Sequence, residues 1–248
     1  MTAGAELRTD GLRKRFGGQA AVDGVGFTVA PGAVVGLIGP NGSGKTTLLN
    51  LLNGAHRPDA GSIKLAGEEL AGRPPAHFVR HGVTRTFQTT RVFSTVTALE
   101  NLLVPMLHSK EHRRETASRA LELLDFVGLV DHRDTPASEL SGGQQKLLEF
   151  VRALMTEPVI VLMDEPFAGV HPSVKELMRD RIKERNRRGT SFVIVSHEIP
   201  DLMRLSGEVI CMSDGRVVAH GSPDEVTADE RVVAAYLGSG AASGRARP

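Results

Sequence analysis

A chain of 248 residues, 40% hydrophobic and 24% charged, carries enough apolar material for one large core or two modest ones. Its formal net charge of +1 supplies no general field for holding nucleic acid, and no run approaches the roughly 18 consecutive apolar residues of a membrane span. One cysteine, Cys211, excludes an internal disulfide and suits a reducing compartment; the opening MTAGAELRTD lacks the apolar stretch of a secretion signal, so membrane association is expected only through a partner.

Leu7 to Phe16 and Ala20 to Val29 read as two strands around the Gly17-Gly18 turn. Pro31-Gly32 then leads into Val34–Ile38, a short apolar run suited to a strand buried on both faces. Gly39 to Thr46 fits G-x-x-x-x-G-K-[ST], and Leu48, Leu49, Leu51 and Leu52 follow at helical spacing towards Gly54. Gly39, Gly42 and Gly44 allow backbone N–H groups to turn inward, and the new helix aims its free N–H groups at the same point. Lys45 can reach terminal phosphates and the Thr46 hydroxyl a magnesium ion. This stretch is expected to bind a nucleoside triphosphate.

Pro58 to Gly61 reads as a turn, Ser62 to Leu65 as a strand, and Gly67 as another turn. A short helix is expected over Ala76–His81 and a strand over Val83–Gln88. From Thr97 the pattern becomes helical, with Ala117, Ala120, Leu121, Leu124 and Val127 as one apolar face and Gly128 as its cap. The polar segment Lys110 to Arg119 reads as a solvated helix surface rather than a nucleic-acid patch. A helix from Ser141 to Met155 would bury Leu147, Leu148, Val151, Leu154 and Met155. Val159–Met163 is a buried strand ending at Asp164-Glu165, and Pro172 opens a basic helix that stops at Gly189. Its Arg179, Arg181, Lys183, Arg185, Arg187 and Arg188 are interleaved with Asp180 and Glu184, which suits a solvated face. Ser191–Val195 is a further buried strand, and Asp214-Gly215 marks a hairpin between Val209–Met212 and Val217–Ala219. The small, Gly- and Arg-containing tail from Ser239 is expected to be disordered.

Alternating strands and helices predict an α/β parallel sheet with ligands at the carboxyl ends of its strands. The phosphate loop, Asp164-Glu165 and His197 each follow such a strand, so three distant clusters reach one rim. Asp164 can hold magnesium through water, and Glu165 can polarise a water for in-line attack on a γ-phosphate. His197 could contact that phosphate or hold Glu165 and the water, and Gln88 could reach the magnesium or the water. Ser141 and Gln144 form a capping box, while Gly142 and Gly143 leave the helix end bare as a second anion site. A head-to-tail pair of chains would place one such end on each side of a shared nucleotide.

GPNGSGKTT, Gln88, LSGGQ, VIVLMDEP and Ser196-His197 together resemble the ATP-binding cassette (ABC) ATPase subunits over about residues 5 to 238. The resemblance implies a P-loop NTPase (RecA-like) parallel sheet core with an N-terminal antiparallel β layer and an inserted helical subdomain, in a single domain. The core would span 5–88 and 156–238, and the helical subdomain 89–155. It also implies Phe16 stacking on adenine with Val22 beneath the ring. Gly39, Asn41, Gly42, Ser43, Gly44, Lys45, Thr46 and Thr47 look like the Walker A loop, and Gln88 like the Q-loop. Ser141, Gly142, Gly143 and Gln144 resemble the signature that meets a partner chain's ATP. Asp164 looks like the Walker-B residue, Glu165 the catalytic base and His197 the switch histidine. The implied cofactors are ATP and Mg2+, the metal lying near Thr46, Gln88 and Asp164.

Within that family, LRKRFGGQAAVDGVGF, TRTFQTTRVFSTVTALENLLV, EPFAGVHP and AAYLG resemble the importers of branched-chain amino acids and related polar solutes. The partners this implies are a second cassette chain (identical or related), integral-membrane permeases and, indirectly, an extracytoplasmic solute-binding protein, with no nucleic acid. The chain would then sit at the cytoplasmic face of the membrane. A lipid- or lipopolysaccharide-exporting cassette is the nearest rival reading. A non-transport cassette protein is a weaker one, because there is one cassette here and no sustained heptad pattern. His171 departs from the family, standing where many relatives carry Asp or Asn in the loop that crosses between subunits.

Overall fold

The computed structural model describes residues 5–109 and 111–242. The chain runs β1 (Leu7–Phe16), β2 (Gln19–Val29), β3 (Val34–Ile38), α1 (Lys45–Leu52), β4 (Ala60–Leu65), β5 (Glu68–Glu69), α2 (Pro75–Arg80) and β6 (Val83–Arg85). Three helices follow, α3 (Ala98–Leu103), α4 (Arg113–Phe126) and α5 (Gly142–Leu154). The chain then returns through β7 (Ile160–Asp164), α6 (Pro172–Arg187), β8 (Ser191–Val195), α7 (Ile199–Leu205), β9 (Glu208–Ser213), β10 (Arg216–Gly221), α8 (Pro223–Ala228) and α9 (Glu230–Ala242).

Two strand patterns make two sheets. The first strands mix buried and exposed positions and pair antiparallel in the order β2-β1-β4-β5. β3, β7 and β8 are buried at every residue, as strands covered on both faces must be. They form the centre of a six-stranded sheet ordered β10-β9-β3-β8-β7-β6, parallel except for β10. Alternation along each strand divides the core into two layers. Val35, Leu37, Ile160 and Leu162 face Leu48, Leu49, Leu51 and Leu52 of α1 and the antiparallel sheet. Val34, Ile38, Val161 and Met163 face the layer that holds α3, α4 and α5. Because β3, β7 and β8 run side by side in one direction, the segments that follow them emerge at one edge.

The sequence placed β1 and β8 at their observed limits, and Asp214 (φ 49°) with Gly215 (φ 77°) makes the expected tight turn of a hairpin. Other expectations need correction. β6 stops at Arg85 rather than Gln88: Thr86 still donates to Leu162 O at 2.9 Å, and then the chain peels away from the sheet. Ala120, Leu124 and Val127 are buried as expected, but Thr116 and Leu123 complete the α4 face in place of Ala117 and Leu121, which are half-buried. The basic residues of α6 are not all solvated. Arg179 pairs with Asp201 and Lys175 with Glu198, tying α6 to α7, and Arg181 lies 4.8 Å over the Phe126 ring. Helix α9 continues through Ala242, where a disordered tail was expected from Ser239. Residues 243–248 of that tail, and Lys110 of the polar segment, lie outside the described residues. Among the described residues, no helix is long and apolar enough to cross a membrane.

Candidate functional site

The loop between β3 and α1 is threaded between two backbone carbonyls. Gly39 has φ 144° and Gly44 φ 102°; a Cβ on either would lie 2.1 Å from Met212 O or Ala21 O respectively. Only glycine fits there. The first N–H of the loop, that of Gly39, donates to Tyr236 Oη of α9 at 2.9 Å. α1 begins with neither a side-chain cap nor an acidic residue in its first turn, so its leading N–H groups stay available to a ligand.

Lys45, the first residue of α1, folds its ammonium back to Gly39 O (2.7 Å) and Pro40 O (2.9 Å). Burial draws its pKa below the usual lysine value, while the Glu165 and Asp164 carboxylates pull the other way. A cleft of about 240 Å³ opens in front of it, lined by Asn41, Gly42, Gly44, Thr46, Thr47, Gln88, Asp164, Glu165 and His197. The structure thus brings the phosphate loop together with the residues that follow β6, β7 and β8. Ser43 is buried beneath the loop, with its Oγ 3.5 Å from Lys45 Nζ.

Asp164 ends β7 and is paired with Arg85 at the end of β6, Nη2 to Oδ2 2.8 Å, both side chains almost fully buried. Burial lowers the Arg85 pKa, and the Asp164 charge opposes that shift. Arg85 also donates to Asn50 Oδ1 of α1 and lies 5.2 Å from the Phe87 ring centre. Glu165 occupies the left-handed region (φ 51°), which strains a residue with a Cβ, and its side chain is buried. Oε2 accepts from His197 N at 3.0 Å, and Oε1 lies 3.3 Å from His197 Nε2. Oε1 is buried without a hydrogen-bond partner in the protein, as a site awaiting a donor would be. Lys146 of α5 donates to Glu165 O (2.8 Å) and Ala168 O (3.0 Å), holding the strained turn.

The segment after Gln88 is fastened to α5. Glu149 Oε1 accepts from Arg91 N at 3.1 Å, and Arg152 donates to Arg91 O. Burial raises the Glu149 pKa, partly offset by that hydrogen bond.

The serine–diglycine segment lies outside the cleft. Ser141 Oγ accepts from Gln144 N (3.3 Å) and Gln144 Oε1 from Ser141 N (2.9 Å), the expected reciprocal cap. Ser141 and Gly142 are exposed, and Gln144 Nε2 donates to His132 Nε2 at 3.1 Å. Phe16 is 47% exposed and meets His56 edge-on at 5.3 Å, open to a stacking partner. Val22 corrects the sequence reading: it is fully buried in the core, and Ala21 is the β2 residue that lines the cleft. His171 caps α6, its Nδ1 accepting from Ser173 Oγ (2.9 Å) and Ser173 N (3.4 Å).

Arg85, Lys146, Glu149 and Tyr236 escaped the sequence reading. Arg85 and Lys146 carried a usable signal, a cation at the end of a buried strand and one on the inner half of an amphipathic helix.

Comparison with known families identifies the fold. Residues 22–168 match the ABC transporter model, and residues 216–242 match that of the branched-chain amino acid ATP-binding cassette transporters. The chain is 37% identical to the high-affinity branched-chain amino acid transport ATP-binding protein LivG of Escherichia coli, over 94% of this chain and 97% of that one. It belongs to the ABC transporter ATPases. Among solved structures, it resembles an ATP-binding cassette of an ABC transporter in its ADP conformation, with TM-score 0.86 and 35% identity over 94% of this chain and 99% of that one. It also resembles an ATP-binding cassette solved as a dimer in a post-hydrolysis state with ADP and Pi, with TM-score 0.79 and 26% identity over 88% and 98% of the two chains. This ABC ATPase is an ATP-binding and ATP-hydrolysing transporter subunit, and its fold implies binding of ATP with Mg2+.

Proposed function

We propose that this ABC ATPase powers import of branched-chain amino acids or related polar solutes. It would act at the cytoplasmic face of the membrane, paired with a second cassette and two permease subunits and served indirectly by a solute-binding protein. The C-terminal match to the branched-chain transporter model and the full-length likeness to LivG support the solute class. One observation carries the catalytic reading: groups following three parallel strands line a single cleft in front of an uncapped helix start.

In this reading, the loop from Gly39 to Thr47 cradles the phosphates. Lys45 exchanges the Gly39 and Pro40 carbonyls for phosphate oxygens. The orphaned Glu165 Oε1 and the acidic end of β7 are chemistry suited to a hydrated divalent cation and a nucleophilic water. Mg2+, held near Thr46, Gln88 and Asp164, would neutralise phosphate charge. Glu165 takes the proton of the attacking water at Oε1, which the His197 ring borders, while the backbone N–H of His197 pins Oε2. Phe16 offers its open face to the adenine, with Ala21 beside the phosphates.

The segment Ser141–Gln144 would complete the site of a neighbouring chain, its exposed helix start meeting the other face of that chain's nucleotide. ATP then favours the closed pair because only there does it contact both helix starts, and loss of the γ-phosphate releases the pair. That a relative forms a dimer in a post-hydrolysis state with ADP and Pi supports the pairing of two cassettes. The Q-loop anchor of Glu149 and Arg152 on α5 couples cleft to helical insertion.

The test is Glu165→Gln. It should retain ATP binding, slow hydrolysis by about 10²–10⁴-fold, and elute as a dimer once ATP is added. Near-normal turnover would reject Glu165 as the base.

A further inference from the structure

We propose that Glu68, His77 and His81 form a zinc site that staples the antiparallel sheet to α2, apart from the nucleotide cleft. His77 and His81 are spaced i,i+4 on α2 and its C-terminal cap, and Glu68 projects from β5. Their ligand atoms all lie within 4.8 Å of one another.

Distance and hydrogen bonding both point to a cation. Glu68 Oε1 is 3.0 Å from His81 Nε2 and 3.7 Å from His77 Nε2. Ligands about 2.0–2.1 Å from a tetrahedral zinc ion stand about 3.3 Å apart, between those two values. His81 Nδ1 lies 2.7 Å from His77 O, a carbonyl that can only accept, so Nδ1 carries the proton. In a neutral His81 ring, Nε2 therefore turns a lone pair, not a proton, towards the carboxylate. That bond to His77 O also fixes the ring, as a metal-bound histidine is fixed by its second nitrogen. His77 Nε2 is buried and has no hydrogen-bond partner. Two imidazoles and a carboxylate thus converge on one point. Protonating both rings would set like charges side by side, since their centroids are 4.3 Å apart. A single divalent ion satisfies all three ligands at once. Two histidines and a carboxylate suit zinc, with the fourth position open to water on the exposed side of Glu68.

The ion would close a short loop around Phe78, which is buried between the two histidines in sequence and packs against Gly54 after α1. Because α2 leads through Gly82 into β6, the staple braces the start of the strand that ends in Arg85.

The experiment uses full-length, untagged, nucleotide-free protein dialysed against micromolar ZnCl2, with bound metal counted per chain. Wild type should hold one zinc more than His77→Ala or His81→Ala, and Glu68→Gln should weaken binding by about tenfold or more. Zinc should raise the melting temperature of wild type and leave that of His81→Ala unchanged. Retained ATP binding checks that each variant is folded; should a histidine variant not fold, Glu68→Gln at its exposed position and the visible spectrum of tetrahedral Co2+ on wild type decide. Equal zinc on wild type and the variants, or none on wild type, overturns the site.

Discussion

Arg85 and Asp164 form an ion pair that the interior can hold only if both partners stay. Each side chain is about 95% buried, and Arg85 also reaches Asn50. Removing one member of such a pair leaves a charge in low dielectric, which costs about 3–5 kcal/mol, whereas removing both charges costs far less. Arg85→Ala should therefore lower unfolding stability by roughly that amount in urea titrations, without nucleotide. Adding Asp164→Asn to that variant should recover most of the loss, the two changes being coupled through direct contact. A penalty for Arg85→Ala below about 1 kcal/mol would mean that the pair is solvated and weak. The same arithmetic bears on the proposed function: if Asp164 is to stand beside a hydrated cation, Arg85 is the counter-charge that holds its carboxylate in place.

At the scale of elements, the phosphate loop is held from behind by a helix far along the chain. Tyr236 of α9 gives Gly39 N its acceptor, 197 positions away in sequence. Tyr236→Phe removes that acceptor while keeping the ring, so the Gly39 N–H loses its partner, at a cost of about 1 kcal/mol. The expected outcome is a melting temperature lower by about 2–4 °C and a nucleotide dissociation constant raised by less than about tenfold. An unchanged melting curve would indicate that α9 does not bear on the loop. Contacts of this kind explain what the sequence could and could not reveal. β3, β7 and β8 were legible because a strand covered on both faces must be apolar throughout, and the phosphate loop because its glycines serve a local turn. The cap of α5 was legible too, since Ser141 and Gln144 satisfy each other within one turn. The inner face of α4 was legible only in part: Ala120, Leu124 and Val127 were placed, but packing against α3 and α5 adds Thr116 and Leu123, and Phe126 is taken up by Arg181 of α6. Val22 was misplaced for a related reason. Its position in β2 is right, but only the pairing of β2 with β1 decides that Ala21 lines the cleft and Val22 the core.

Across the whole molecule, two helix starts lie apart, α1 inside the cleft and α5 outside it, so in the proposed reading one chain alone does not bring both to one nucleotide. In the proposed pair each chain would complete the other's site, an arrangement that predicts rescue between defective chains. Lys45→Ala spoils the phosphate loop and leaves the serine–diglycine segment intact. Ser141→Arg does the reverse: the position is exposed, so the fold should survive the loss of a cap worth about 1 kcal/mol, but a cation and a long side chain now occupy the helix start. Each variant alone should be nearly inactive. In a pair built from one of each, one site has both defects and the other has neither. Random pairing of equal amounts makes half of the dimers mixed, each with one sound site of two, so ATPase activity should return to about one quarter of wild type. The measurement is the rate of phosphate release from each variant and from the mixture, with total chain concentration held constant. Were the signature segment to act on its own chain's nucleotide, no combination would contain a sound site, and the mixture would stay as inactive as its components.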